Sequence, residues 1–467
     1  MATATQTGTT GRVVVVGAGV AGLSAAYTLV QAHPGLDVVV LEAGDRVGGL
    51  VASERTADGC LLEWGPDAML LAGPEVAGVT KALGLDPLAA STAVGSRVVL
   101  NGKRHPLPMG VLVPGVGSVG AVMGSPLLSW GARARLAVEG FVPARRSEED
   151  ETVEAFVARR MGRAVLDRMI GPLLHGIRGA DPAAMSAHAT LPQLVAMERA
   201  HGSVTAGILR EALAGRKAKG APGAGPRRGG MVSFAEGMAA LPGAMAGVLG
   251  GRVWLGCAVR AVTRTKAGVR VTLASGEHLD ADGVVLAVPA YVAAGLLAGV
   301  DAAAAEEAAS VGYAPAVHVT MAFAAGEVDA RDLPGLVVAA SEGLSVRACT
   351  WSSRKFPGRA PEGVLTVRCS LTPEALEAED GDVAAAARAD LRTLTGIAVA
   401  PRWTRVVKIA RAIPRYSLGH AARVTRVGDA LAAESRVALA GAAWRGAGVA
   451  DCVVSGAGAA AQVMAAA

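Results

Sequence analysis

Aromatic side chains are scarce in this chain of 467 residues: Phe, Trp and Tyr make up 3% of it, although 52% of residues are hydrophobic. The apolar content is therefore mostly alanine and valine, as in a compact globular protein short of large core-filling rings. Charge is scarce too, at 18% of residues, and the net +5 comes without an RRM, zinc or helix-turn-helix signature. A mildly basic surface accounts for that excess, and no nucleic-acid partner is expected. The five cysteines, Cys60, Cys257, Cys349, Cys369 and Cys452, are scattered, with no C-x-x-C pair and no tight histidine clustering. That argues against a metal site and for a reduced, cytoplasmic setting. The opening MATATQTGTTGR lacks the apolar stretch of a secretory signal. The longest uncharged stretch, Pro106 to Ala132, is broken by Pro108, Gly110, Pro114, Gly115, Gly117, Gly120, Gly124 and Pro126. Such content argues against a spanning helix and leaves two readings open, a wall of an apolar channel or a surface in peripheral contact with a membrane.

What is present starts at once. Arg12 to Val16 (RVVVV) reads as a buried parallel strand, a glycine turn follows, and an alanine-rich helix runs from about Ala21 to Gln31. Asp37 to Leu41 (DVVVL) supplies a second strand and completes a βαβ unit. Helical patterns at Glu151 to Met161 and Gln193 to Ala214 predict a largely helical middle segment. Residues Gly215 to Gly230 are Gly, Pro and basic throughout and read as a connection. Strands are expected at Arg252 to Thr265, Val269 to Leu273 and Gly283 to Val288, returning to the first unit. From Tyr313 to Ala410 the alternation predicts a second, mostly antiparallel sheet with one exposed face.

Gly17-Ala18-Gly19-Val20-Ala21-Gly22 is a G-x-G-x-x-G placed between strand and helix. Its first glycine permits the tight turn, the second lets a pyrophosphate approach, and the third lets helix pack on strand. Glu42 stands twenty residues beyond Gly22, at the end of the second strand. A carboxylate there accepts both ribose hydroxyls and repels a 2′-phosphate, which disfavours NADP. Glu42 continues through Arg46 to Gly48 and Gly49, and this E-x-x-x-R-x-G-G run resembles the second fingerprint of the FAD-dependent amine oxidase and phytoene desaturase superfamily. The resemblance implies FAD, with Arg46 and the Gly48-Gly49 backbone approaching its diphosphate or ribityl chain from the other side. It also implies a late glycine-rich turn at Val437 to Gly448, where Gly441 and Gly448 are the candidates; the residues by themselves also fit an ordinary strand-turn-helix.

Four further stretches resemble the porphyrinogen oxidases within that superfamily: Pro172 to Val204, Phe234 to Pro242 (F-x-x-G-[LM]-x-x-LP), Pro414 to His420 (P-x-Y-x-x-G-H) and Gly446 to Cys452 (G-x-G-x-x-D-C). That resemblance implies oxidation of a porphyrinogen to a porphyrin in three flavin cycles, with dioxygen reoxidising FAD and hydrogen peroxide released. Protoporphyrinogen IX, in heme biosynthesis, is the leading expectation for the substrate and coproporphyrinogen III the runner-up. An amine oxidase, poorly served by so few aromatics, is a third reading and a non-catalytic flavoprotein a fourth. Little acid-base chemistry is demanded of side chains, and no catalytic residue or metal is assigned. Arg97, in SRVVLNG, matches the family's propionate-binding arginine, though an exposed strand-end charge is the plainer reading. Gly176 matches a glycine whose backbone approaches the substrate. Arg178 and Ala450 depart from the pattern, where an aromatic and Asn are usual. For His175, His188 and His201, packing or surface roles are favoured, and Trp444 reads as packing unless it faces an amine.

The fold expected is α/β: a Rossmann-type FAD-binding domain, a mixed or antiparallel substrate-binding sheet domain and a helical lobe. The expected boundaries are 1–95, 230–290 and 425–467 for the FAD domain, 96–110 and 291–424 for the substrate domain, and 111–229 for a lobe that would carry any membrane contact. The oligomeric state is left open, a homodimer included.

Overall fold

The computed structural model describes residues 11–71, 73–91, 95–108, 118–218, 230–329, 333–432 and 436–466. A five-stranded parallel sheet gathers distant pieces of chain in the order Val253–Trp254, Asp37–Leu41, Arg12–Val16, Gly283–Leu286 and Val437–Leu439. The central run RVVVV is apolar at consecutive positions because both its faces are covered. Val13 and Val15 pack under helices Val20–Ala32 and Val449–Ala466, whereas Val14 and Val16 enter a second core on the other side. The two helices cross closely, since a Cβ on Gly456 would lie 2.1 Å from the Ala21 carbonyl oxygen. The Ser24 hydroxyl also donates to the Val453 carbonyl at 2.7 Å.

The expected strand over 252–265 is two strands in two sheets. Val253–Trp254 edges the parallel sheet, while Val259–Arg264 pairs with Val269–Leu273 and then His278–Ala281 in a separate antiparallel sheet. Gly256, at φ +68°, turns the chain between them. Its N–H donates to the Gly44 carbonyl at 2.8 Å, and the Cys257 N–H to that of Glu42 at 2.7 Å.

A seven-stranded sheet runs in the order Trp403–Pro414, Tyr313–Ala324, Val364–Leu371, Val346–Thr350, Gly335–Val338, Ser96–Leu100 and Lys103–Pro106. Every pair is antiparallel except Gly335–Val338 with Ser96–Leu100. Helix Asp380–Thr395 covers one face through Val383, Ala387, Leu391 and Leu394. The other face was expected to be exposed. Instead, helix Gly171–Arg178 packs on it at Val337 and Ala348, and side chains from the N-terminal segment close over Thr320 and Arg368.

The helical part packs on the edge of the seven-stranded sheet at Val98, with helices Val153–Arg160, Gly171–Arg178, Pro192–His201 and Val204–Ala218 around Phe156, Met169, Ile170 and Leu194. Arg160 is fully buried and donates to Glu139 and to the carbonyls of Val142 and Gly202, at 2.8 and 3.0 Å. The helix expected over 193–214 is broken at Gly202, which caps the first half at φ +70°. Its second half continues to Ala218, into the stretch read as a connection, and 219–229 lie outside the described residues. In the uncharged stretch the described helices are Ser118–Met123 and the start of Trp130–Ala137. Among the described residues no helix is long and apolar enough to cross a membrane.

Candidate functional site

The glycines of the first turn divide by what surrounds them. A Cβ on Gly22 would lie 1.9 Å from the Gly17 carbonyl oxygen, and one on Gly17, at φ +100°, would lie 2.6 Å from that of Ala287. The protein's own backbone therefore demands those two. Gly19 has ordinary φ of −70° and nothing within 4 Å of its missing Cβ. The space in front of it is open, and the helix beginning at Val20 has no acidic residue in its first turn. Free N–H groups at a helix N-terminus beside an unobstructed glycine suit a pyrophosphate, so these residues fit a dinucleotide.

Glu42 steadies the same loop. One carboxylate oxygen accepts from the Ala18 N–H and the other from the Gly44 N–H, both at 2.8 Å. A carboxylate offers about four acceptor positions, which leaves capacity for ribose hydroxyls. The second fingerprint lies directly against the first: Gly48 bridges Gly19, its N–H donates to the Ala18 carbonyl at 2.8 Å, and a Cβ on Gly49 would lie 3.3 Å from Gly19 Cα. Arg46 is exposed and braces its own turn through the Gly49 carbonyl at 2.8 Å. Gly441, at φ +116°, would place a Cβ 3.8 Å from that of Ala21, and its N–H donates to the Ser455 hydroxyl at 3.0 Å. The Gly448 N–H donates to Asp451 at 2.9 Å, at the start of helix Val449–Ala466. The C-terminal turn thus stands beside the first loop, as the resemblance implied. Trp444 is buried among Val14, Leu286 and Leu431.

The two residues matched to substrate contacts are not on one face. Gly176 presses on Ala348 and Val337, at 3.4 and 3.6 Å from where its Cβ would be. Val337 is the register partner of Val98, which packs into the helical core, whereas Val99 packs under Asp380–Thr395. Successive strand residues alternate, so Arg97, paired with Leu336, belongs to the face away from Gly176, at the start of its strand. The Arg178 side chain lies outside the described residues, and so do those of 109–117. His175 bonds its own helix at Gly171, His188 sits near Asp150, and His201 contacts Arg210.

Sequence reading missed a polar joint between the small Ser53–Arg55/Leu61–Glu63 sheet and the loop at Arg359 that leads into the large sheet. Glu63, 8% exposed, accepts from Arg359 at 2.5 Å, from Ser53 at 2.6 Å and from the Met238 N–H at 2.9 Å. Ser53 also accepts from the Ala239 N–H at 3.0 Å. The Phe234–Pro242 motif is the third side of this joint: Gly237 takes φ +87°, and a Cβ there would lie 2.3 Å from the Ser53 hydroxyl. Burial pushes the Glu63 carboxyl up, against the opposing pull of Arg359. Four residues on, Asp67 pairs with Lys355 at 2.8 Å. Burial alone would raise its pKa, but Lys355 and then Arg368 outweigh it and hold Asp67 below the usual carboxylate range. His318, whose Nδ1 meets the Ser370 hydroxyl at 3.1 Å, is pushed well below the usual imidazole range by burial and then by Arg368. The ion-pair partners Glu63 and Arg359 are 296 positions apart and Asp67 and Lys355 are 288 apart, and no local spacing announces them. An open cleft elsewhere, lined by Arg163, Asp167, Arg168 and His175, lies at the outer corner near Asn101. Arg163 there pairs with Glu154 and Asp167, so the cleft offers little unsatisfied charge. Among the described residues no group of three or more His, Cys, Asp or Glu could hold a metal ion.

The chain is 32% identical over 447 residues to the coproporphyrinogen III oxidase of Mycobacterium tuberculosis, covering 94% of each chain. It is 28% identical over 434 residues to the chloroplastic protoporphyrinogen oxidase 1 of Arabidopsis thaliana, covering 87% of this chain and 79% of that protein. Among solved structures, a protein provisionally named protoporphyrinogen oxidase from Exiguobacterium superposes with a TM-score of 0.79 at 27% identity, over 97% and 98% of the two chains. The cyclohexylamine oxidase of Brevibacterium oxydans shares the fold at a TM-score of 0.69 and 17% identity, over 97% and 98%. The family described as flavin containing amine oxidoreductase matches residues 20–464. Its match begins inside the glycine turn and ends inside the helix that closes beside it, and the chain therefore belongs to that family, with FAD as its cofactor.

Proposed function

We propose that this chain is an FAD-dependent oxidase that converts coproporphyrinogen III to coproporphyrin III with dioxygen as acceptor. The observation that carries it is the end-to-end similarity to a coproporphyrinogen III oxidase at 32% identity. Protoporphyrinogen IX is the second reading, favoured by the Arabidopsis relative. Bound FAD would supply the two-electron acceptor for a meso C–H of the ring. The chain's own part is to bind and orient. Gly17, Gly19, Gly22, Glu42, Arg46, Gly48, Gly49, Gly441 and Gly448 would hold the cofactor. The ring would lie beside the Gly176 helix on the face of the large sheet that this helix partly covers, and Arg97, at the start of its strand and belonging to the opposite face, would take a carboxylate from the rim. The apolar wall formed by Val98, Val337 and Ala348 would keep water away.

The division proposed is a discontinuous FAD domain of 1–95, 230–290 and 425–467, a substrate domain of 96–110 and 291–424, and a helical lobe of 111–229. Peripheral membrane contact is proposed for that lobe, at Trp130 and Phe141, which are 83% and 88% exposed. The test is porphyrin fluorescence after adding each porphyrinogen in air to flavin-loaded protein. Fast fluorescence with coproporphyrinogen is expected; a flavin spectrum with no porphyrin from either substrate would defeat the reading.

A further inference from the structure

The reading above needs a cation on the face of the large sheet that Gly176 covers, and Arg97 belongs to the other face. Register identifies which cation shares it. His318, Ser370, Ala348, Val337 and Val98 form one row across five strands, and Gly176 rests on two of them. Two positions along the same strands lies the next row, Thr320, Arg368 and Thr350. Side chains two apart on a strand point the same way, so Arg368 lies on the Gly176 face. The intervening Val367 and Cys369 pack into the opposite core.

Arg368 is also the cation left over. Around it, Lys355 pairs with Asp67 and Arg359 with Glu63, each within 2.8 Å. That leaves three cations to two carboxylates. The Arg368 Nε is shut off from solvent without a hydrogen-bond partner, and the nearby Asp67 and Glu63 carboxylates act on this guanidinium through charge while bonding to Lys355 and Arg359. A guanidinium with five donors in a fixed fork is costly to leave so, and a carboxylate is the group that fits the fork. Position adds to this. A Cβ on Gly65 would lie 2.1 Å from the carbonyl oxygen of Leu50, which directly follows the Gly48-Gly49 fingerprint. Asp67, two residues beyond Gly65, lines the same recess as Arg368 and Thr320. Arg368 thus shares a recess with the segment that packs against the end of the cofactor fingerprint, on the sheet face that the Gly176 helix also covers.

We propose that Arg368 is a specificity-determining residue that receives a carboxylate of the porphyrinogen on the Gly176 face of the large sheet. This rests on the porphyrinogen reading. A ring with four carboxylates gains more from a second cation than one with two, which gives the site a preference for the tetracarboxylate.

The test is equilibrium binding, read by fluorescence, of coproporphyrin III and of its neutral tetramethyl ester to flavin-loaded wild type, Arg368→Gln and Arg368→Lys. Losing one partner of a desolvated charge pair is worth at least ~2 kcal/mol, so Arg368→Gln is expected to weaken coproporphyrin III binding by about 30-fold or more. Arg368→Lys should fall between, and the ester should bind all three alike. Unchanged coproporphyrin III affinity in flavin-loaded Arg368→Gln would overturn the proposal, as would an equal loss for the ester. Sulfite addition to the flavin is followed in parallel; weakened sulfite addition with unchanged porphyrin affinity would give Arg368 to the flavin instead. Failure of wild type to bind either porphyrin would defeat the porphyrinogen reading itself. Should Arg368→Gln not retain flavin, Arg368→Lys with wild-type affinity for both ligands would still count against the fork.

Discussion

Gly19 and Gly22 belong to one motif and answer to different masters. Alanine at Gly22 would collide with the Gly17 carbonyl at 1.9 Å, whereas at Gly19 it would meet no protein atom. Gly19→Ala should therefore leave apoprotein thermal stability within about 1 °C of wild type, a shift of a few tenths of a kcal/mol. FAD affinity should fall at least about tenfold by fluorescence titration, because the lost space is the ligand's. Gly22→Ala should lower both. His420 makes a second case. It stacks on Tyr416 and is buried, and burial followed by Arg423 brings it down to about 4, against weaker opposing pulls from the Ala443 and Trp444 backbone. An unfolded histidine titrates near 6.5, so between pH 6.5 and 4 the unfolded chain binds the extra proton. Stability is then full above pH 6.5 and lost as pH falls, by an order of about 3 kcal/mol. Urea unfolding of His420→Phe should show a flatter slope over that window; an unchanged slope would remove His420 as the cause.

At the scale of elements, the helix crossing at Gly456 holds the two ends of the chain together. Its missing Cβ faces the Ala21 carbonyl at 2.1 Å and the Ala25 nitrogen at 2.9 Å, so a larger residue forces Val449–Ala466 off Val20–Ala32. Gly456→Val should cost about 1–3 kcal/mol or more by overpacking. Both helices begin beside the cofactor turns, so FAD release on heating should come earlier by the same cause. Much at this scale was legible in the sequence. RVVVV, DVVVL and the glycine turn could hardly be read otherwise, because an uninterrupted apolar strand needs cover on both faces. The run over 252–265 was misread as one strand because Gly256 gives no periodic signal of a change of sheet. The break at Gly202 was missed because apolar spacing resumes at once after it.

For the whole molecule, the joint of Glu63, Arg359 and Ser53 ties the large sheet to the N-terminal segment, and the Arg359 side chain is 2% exposed. Glu63→Gln leaves a buried guanidinium without its counter-charge and should cost about 3–5 kcal/mol in urea unfolding. The double variant Glu63→Met with Arg359→Met should recover much of that loss, since neither charge is then stranded. A double variant no better than the single one would mean that the joint acts through shape alone. The Trp130→Ser, Phe141→Ser pair tests the lobe surface: co-sedimentation with anionic vesicles should fall at least about threefold, with binding of FAD unchanged.

The cofactor and its binding turns were determined by the sequence itself, because a pyrophosphate cradle is local: three glycines, a helix start and one acid within about thirty residues carry its chemistry. The family was legible for the same reason, in short contiguous motifs. The face of the large sheet to which each arginine belongs was decided only by the tertiary structure. Strand register set Arg97 and Gly176 on opposite sides of one sheet and put Arg368 on the same side as Gly176, one row away from the residues that Gly176 touches. Register is fixed by pairings between segments far apart in the chain, and a one-residue slip exchanges the faces, so no local pattern could have announced it.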